Sequence, residues 1–250
     1  MRTVCDYVEG IAEMRELTEK LVTVPHLVTK MKATRLGRLK LALLAEEKRG
    51  YEKAIEDLVD YEPSASLLDL GCGDLRLTFN LARKIGTVDI SGIDIWVDFK
   101  DGVKGYRGDL NEHFPVGDAE YDVVIASNII EHLWNTDGFL MEIHRVLKPS
   151  GYAIISTPNL ASWHNVFYLM LGIQPEPASV SDIMDRFEGP SHRRLFTFPG
   201  LSSVVKYHGF KIDKSVGAAY HPFPLPIAKI LCALDRRHAS TINLKIRRVA

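Results

Sequence analysis

The stretch SLLDLGCGDLRLTFNLA, Ser66 to Ala82, limits the folds open to this chain more than any other. A run of β-favouring apolar residues ends in Asp69, glycines follow at Gly71 and Gly73, and apolar residues then recur at three-to-four spacing. A buried strand that turns on glycines directly into an amphipathic helix opens a β–α unit. The pattern then repeats. VDISGIDI and YDVVIASN read as strands, a helix is expected from about Thr136 through Leu147, and LKPSG turns into the strand YAIISTP. Near-continuous apolar strands alternating with helices predict a parallel sheet covered on both faces. Beyond Pro158, NLASWHNVFYLMLG reads as a helix and LSSVVKYHG as a helix closed by Gly209. FKIDKSVGA then reads as a strand, PLPIAKILCALDRR as a helix and STINLKIRR as the last strand.

Residues 1–62 follow another pattern, helical, strand-poor and stopped by Pro63. They are read as an N-terminal extension to a main domain over 63–250, which carries a long, proline-bearing insertion within 159–200. Between Lys30 and Lys40 lie five basic residues (Lys30, Lys32, Arg35, Arg38, Lys40) and no acid. That run reads either as a solvated helix face or as a contact for an anionic substrate or membrane headgroup.

At 250 residues the chain is long enough for one substantial domain with a full core. Its formal net charge of −1 argues against a dedicated nucleic-acid binder, whose domain would be clearly basic. Cys5, Cys72 and Cys232 are far apart and odd in number, so neither a disulfide framework nor a zinc spacing can be built from them. The start MRTVCDYVEG lacks the apolar core of a signal peptide, and no apolar run is long enough to span a bilayer. A cytoplasmic protein that touches membrane at most peripherally is expected.

Three ligands compete for the glycine loop. A Walker loop needs Lys-Ser/Thr after its second glycine, whereas Asp74-Leu75 follow Gly73. The dinucleotide fingerprint needs a small residue where Arg76 stands. An acid directly after Gly73 is also unwelcome beside a diphosphate, so a cationic or neutral ligand suits the loop better.

The residues LLDLGCGD resemble motif I of the class I S-adenosylmethionine-dependent methyltransferases, whose usual form is acidic-x-Gly-x-Gly-x-Gly. DVVIASNIIEHL and HRVLKPSGYAIISTPN are similar to that family's fourth- and fifth-strand motifs, and the likeness runs from about Ser66 to Asn159. It is closest to the broad subgroup that includes ubiquinone-pathway and sugar methyltransferases. The resemblance implies an α/β fold, a Rossmann-like, doubly wound, seven-stranded, mostly parallel sheet with an antiparallel last strand. It also implies S-adenosyl-L-methionine as cofactor and S-adenosylhomocysteine as product. By the same likeness the cofactor-binding residues are Asp69, Gly71, Cys72, Gly73, Asp94, Ile95, Asp109, Leu110 and Asn128. Asp94 would grip the ribose hydroxyls and Asp109 the adenine amine. The third glycine of the motif falls on Leu75. Leucine in a left-handed conformation costs of order 1 kcal/mol or more, which predicts a loop held differently there.

Methyl transfer to a hydroxyl needs a base for its proton, and histidine is the natural one. Of nine histidines, His132, His164 and His192 fall where the resemblance places the acceptor pocket, and His132 and His192 are the catalytic candidates. His132 also belongs to a pattern common in the family, which leaves a structural role open. No metal is expected. The acceptor is a small molecule, with Arg193, Arg194 and the basic run suiting a phosphorylated or lipid-linked sugar. Methylation of a quinone or lipid, a non-catalytic cofactor-binding domain and a homodimer all stay open.

Overall fold

The computed structural model describes residues 48–95, 99, 102–175 and 192–249. The basic run Lys30–Lys40 and residues 176–191 of the insertion lie outside them. Seven strands form one sheet: β1 (Ser66–Leu70), β2 (Asp89–Asp94), β3 (Val103–Arg107), β4 (Tyr121–Ser127), β5 (Leu147–Pro158), β6 (Phe210–Ala218) and β7 (Thr241–Arg248). The order is β3-β2-β1-β4-β5-β7-β6. The first five strands pair in parallel, and β7 runs antiparallel to both β5 and β6. The expected seven-stranded, mostly parallel architecture with an antiparallel last strand is what the chain forms.

The helices are α1 (48–56), α2 (Arg76–Ile85), α3 (Thr136–Val146), α4 (Trp163–Met170), α5 (Phe198–Tyr207) and α6 (Leu225–Leu234). In α2, Thr78, Leu81, Ala82 and Ile85 are buried, which is the one-face spacing of a helix lying on a sheet. Gly86 ends it in the left-handed region (φ 87°), and its N–H donates to the Ala82 carbonyl. Asn135 caps α3 by accepting from the Gly138 N–H.

The pleat divides the core in two. Leu68, Leu70, Val124, Ala126, Ala153 and Ile155 face one side, with Phe139, Leu140 and Ile143 of α3 and Leu201 and Val205 of α5. Leu67, Val123, Ile125 and Ile154 face the other, with Leu81, Ala82 and Ile85 of α2. Ile55, Leu58 and Val59 join that second layer, so residues just before the predicted boundary at 62 share the core of the sheet domain.

Two elements differ from expectation. β3 was not anticipated, because its residues VKGYR are mostly exposed or half-buried on the sheet edge and carry no apolar run to read. LKPSG is no separate turn but the first part of β5, whose pairing with β4 slips in register between Tyr121 and Val123.

The strand order reverses between β1 and β4, since β2 and β3 lie on one side and β5, β7 and β6 on the other. Open α/β sheets bind ligands at the carboxyl ends of the strands flanking such a reversal. Leu70, Asp94, Arg107 and Ser127 are the last residues of β1, β2, β3 and β4. The predicted site residues 69–73, 94–95, 109–110 and 128 therefore share one edge.

Candidate active site

The glycine loop begins as β1 ends. The Gly71 N–H donates to the Ile93 carbonyl at 2.9 Å, which ties the loop to β2. Gly71 has φ 72°, and a Cβ there would sit 2.8 Å from Ile129 Cδ1. The left-handed φ is what calls for glycine there, and a Cβ would in addition push Ile129 aside. Gly73 (φ 49°) is exposed, and a Cβ built on it would meet nothing within 4 Å. Its backbone thus faces an open cradle that a ligand can approach closely.

Leu75 holds φ 62°, ψ 5°, the left-handed conformation that the motif's third glycine would supply. The expected departure in loop geometry does not occur. Its side chain is instead 1% exposed, and that burial offsets the backbone cost.

Asp94 accepts the Gly73 N–H at 3.0 Å, so the carboxylate at the end of β2 is bonded to the loop backbone. Ile95 follows it and is exposed. Asp69 lies beneath the loop, accepting from the Thr78 hydroxyl at 2.5 Å. Burial pushes its pKa up to about 7, Thr78 opposes the rise, and the charge of Asp94 adds to it. Burial likewise pushes the Cys72 thiol up to about 12, with help from Asp69 and Asp94, which leaves it protonated and unreactive at neutral pH.

Beyond β3, Asp109 Oδ1 accepts from the backbone N–H and side-chain amide of Asn111, at 2.9 and 2.8 Å. Leu110 is buried beside it. Asn111 in turn accepts the N–H groups of Trp134 and Asn135, fastening this turn to the start of α3. Asn128, at φ 51°, donates its N–H to the Ser156 carbonyl.

After β4 the chain makes a single 3₁₀ turn, Ile130–His132. Glu131 is 1% exposed; its Oε2 accepts from the Thr157 hydroxyl at 3.0 Å, while Oε1 has no hydrogen-bond partner. The Glu131 carbonyl accepts the N–H groups of Arg193 (2.7 Å) and Arg194 (3.1 Å). That backbone clamp sets His192 against His132, with ring centroids 4.7 Å apart. Two histidines sixty residues apart thus meet, and the His132 N–H donates to the carbonyl of Ile129, the residue packed on Gly71. His164 is held elsewhere, in a pocket of about 340 Å³ lined by Trp163, Phe167, Tyr168, Tyr220 and His221. Burial, with His221 nearby, drives its pKa down to about 4.

Sequence reasoning missed the roof over the loop. Glu52 of α1 pairs with both terminal nitrogens of Arg76, and Tyr51 Oη is hydrogen-bonded to Ser127 Oγ at the end of β4. Burial raises the Tyr51 pKa above its ordinary value. Neither partnership has a local spacing to betray it. Arg76, the residue that spoils a dinucleotide fingerprint, is here the anchor of α1.

A glycine cradle exposed at Gly73 and braced by a carboxylate on β2 lies at the reversal of the sheet, where the resemblance to class I methyltransferases places the cofactor. The methyltransferase-domain family matches residues 42–215, and the chain belongs to it. It is a member of the S-adenosylmethionine-dependent methyltransferases, and S-adenosylmethionine is its cofactor. A Mycobacterium tuberculosis protein described as a "probable S-adenosylmethionine-dependent methyltransferase" is 49% identical over 181 residues, covering 70% of this chain and 57% of that protein. A protein of similar description from Mycolicibacterium smegmatis is 27% identical over 213 residues, covering 80% and 71%. A ubiquinone biosynthesis O-methyltransferase from Rickettsia bellii is 28% identical over 134 residues, 50% of this chain and 52% of that one. The chain thus spans little more than half the length of two of these three relatives. Among solved structures, a Mesorhizobium loti S-adenosylmethionine-dependent methyltransferase superposes with TM-score 0.55 at 16% identity, over 78% of this chain and 96% of that one. That likeness concerns the fold alone. Among the described residues no helix is long and apolar enough to cross a membrane.

Proposed function

We propose that the protein methylates a hydroxyl of a small molecule, a sugar or glycan intermediate, with the His132–His192 pair handling the acceptor's proton. The observation that carries this reading is the meeting of those two imidazoles, one of them on the 3₁₀ turn that follows Ile129, the residue packed against Gly71. S-adenosylmethionine supplies an electrophilic methyl on a sulfonium. The chain's own residues hold and orient. Gly71 and Gly73 would give backbone access; Asp94, which accepts from Gly73, would also accept from the ribose hydroxyls, and Asp109, whose Oδ1 is taken by Asn111, would offer its second oxygen to the adenine amine. Short bonds from hydroxyls to a carboxylate are charge-assisted and strong. Asp69, already engaged by Thr78, sets the loop from below. The acceptor oxygen gains the methyl as the carbon–sulfur bond breaks with its electron pair left on sulfur, and the hydroxyl proton passes to an imidazole. Positioning and exclusion of water provide most of the acceleration in such a displacement.

A quinone-ring acceptor is a second reading, supported by the ubiquinone-pathway relative. The deciding experiment measures S-adenosylhomocysteine release with sugar phosphates and lipid-linked sugars in one arm and hydroxylated quinones in detergent in the other. Turnover in the sugar arm is the expected result. Turnover with quinones alone would replace the acceptor class, and no calorimetric binding of S-adenosylmethionine at millimolar concentration would remove the methyltransferase reading altogether.

A further inference from the structure

We propose that Glu131, His132 and His192 form a binding site for a first-row divalent transition ion, and that the acceptor's hydroxyl oxygen is the ion's further ligand. The sequence suggested no metal because its cysteines were wrongly spaced, and these ligands share no motif spacing: two are adjacent and the third lies sixty residues on, within the insertion. The fold supplies the juxtaposition. One donor atom from each residue lies within 4.8 Å of those of the other two. Bonds of about 2.0–2.1 Å hold donors about 3–4 Å apart, so the set must contract by about 1 Å, within reach of side-chain rotation.

A second observation points the same way. Glu131 is 1% exposed, and its Oε1 has no hydrogen-bond partner although Oε2 is satisfied by Thr157. A buried carboxylate oxygen left without a donor is costly, and a cation removes that cost. Thr157 holds one oxygen of the carboxylate, and the Glu131 backbone carbonyl accepts the N–H groups of Arg193 and Arg194. The clamp that fixes Glu131 is the one that delivers His192.

Two imidazole nitrogens and one carboxylate oxygen form a borderline donor set. It favours Zn²⁺, Mn²⁺, Fe²⁺ or Co²⁺ over Mg²⁺ and Ca²⁺, which prefer all-oxygen shells. Three protein ligands leave a coordination position open, as in catalytic rather than structural sites. With the ion bound, His132 and His192 act through it rather than as bases. A hydroxyl in the open position is acidified by the ion and its proton leaves to solvent, which replaces the direct transfer to an imidazole described above. This use of the ion rests on the O-methylation reading above; the binding of the ion does not.

The test uses the full chain, stripped with chelator and then loaded with Zn²⁺ or Co²⁺. One ion per chain retained through gel filtration, with visible Co²⁺ d–d bands that shift when catechol is added as a hydroxyl probe, is the expected result. His132→Gln and His192→Gln should each lose the retained ion and the bands while keeping the native circular-dichroism spectrum. Glu131→Gln should do the same if it folds; the histidine variants carry the test if it does not. Retention unchanged in His132→Gln/His192→Gln, or no ion retained by the parent chain, overturns the site. Bands that catechol does not move overturn the acceptor role. Calorimetry with S-adenosylmethionine on the same samples separates the readings, because cofactor binding without metal retention sinks the metal site and leaves the methyltransferase standing.

Discussion

Leu75 shows how a residue can break a motif and keep its geometry. The left-handed backbone that glycine adopts freely is held here by leucine at a cost of roughly 1–2 kcal/mol, with the side chain sealed in the core. Restoring the motif's glycine should therefore not help. Leu75→Gly relieves the strain but forfeits a buried side chain, a loss of about 2–5 kcal/mol for leucine-to-alanine changes. We expect a net destabilisation of about 2 kcal/mol in urea unfolding, and a more stable variant would show that strain dominates. Asp69 makes a prediction in pH. Its native pKa of about 7 is raised from 3.8, so between those values the folded chain binds more protons than the unfolded one. Stability then falls as pH rises through that window, by at most about 1.4 kcal/mol per unit, and levels off above it. Asp69→Asn lacks this slope, and parallel unfolding curves for the two proteins across that window would refute the assignment. Asp94→Ala should weaken S-adenosylmethionine binding by about 1.5–3 kcal/mol, the usual worth of hydrogen bonds to a charged group, as calorimetry will read. Gly71 and Gly73 were legible because a turn at a strand end needs glycine, and Asp69 and Asp94 because the resemblance to the family's motifs points to them. Glu131 was not singled out, because its neighbour His132 looked like the functional residue and burial cannot be read from a dipeptide.

At the scale of elements, the central strands and their helices were legible because burial on both faces writes continuous apolar runs. An edge strand such as β3 writes none, and α1 is legible as a helix but not as a roof. What it covers depends on Glu52 meeting Arg76 and Tyr51 meeting Ser127, contacts that span 24 and 76 residues. Arg76 is 44% exposed on its side chain while Glu52 is only 11% exposed, so the pair is half in water. Removing the acid should therefore cost about 1 kcal/mol or less in global stability, yet it unpins one end of α1. Glu52→Gln is expected to speed amide exchange over residues 48–56 and to weaken cofactor binding several-fold, with exchange in β4 and β5 unchanged. Equal acceleration everywhere would mean that Glu52 supports the core rather than the roof.

Across the whole molecule, the two ends of the described chain are joined by one buried cation. Lys245 of β7 is 2% exposed; its Nζ donates to the Leu58 carbonyl at 3.0 Å and to Asp60 Oδ2 at 2.5 Å, and it lies 3.9 Å from the centroid of the Tyr152 ring. No spacing in the sequence could pair residues 185 positions apart. Only the antiparallel return of β7 beside β5 brings them together. The consequence is an asymmetry between the partners. Asp60→Ala leaves an ammonium buried against Tyr152 without its counter-charge, and breaking a buried pair in that way costs about 3–5 kcal/mol, reduced here because the Asp60 side is 43% exposed and admits water. Lys245→Met replaces the cation with an apolar chain of similar length and leaves Asp60 half-exposed beside Arg247, its second partner at 3.5 Å, so that mainly the Leu58 carbonyl is left without its donor at about 1–3 kcal/mol. Asp60→Ala should be the more damaging change in urea unfolding, although it deletes the more exposed residue. If Lys245→Met proves the worse of the two, the cation is held by the Leu58 carbonyl and the Tyr152 ring, and the ion pair contributes little to joining the N-terminal segment to the sheet.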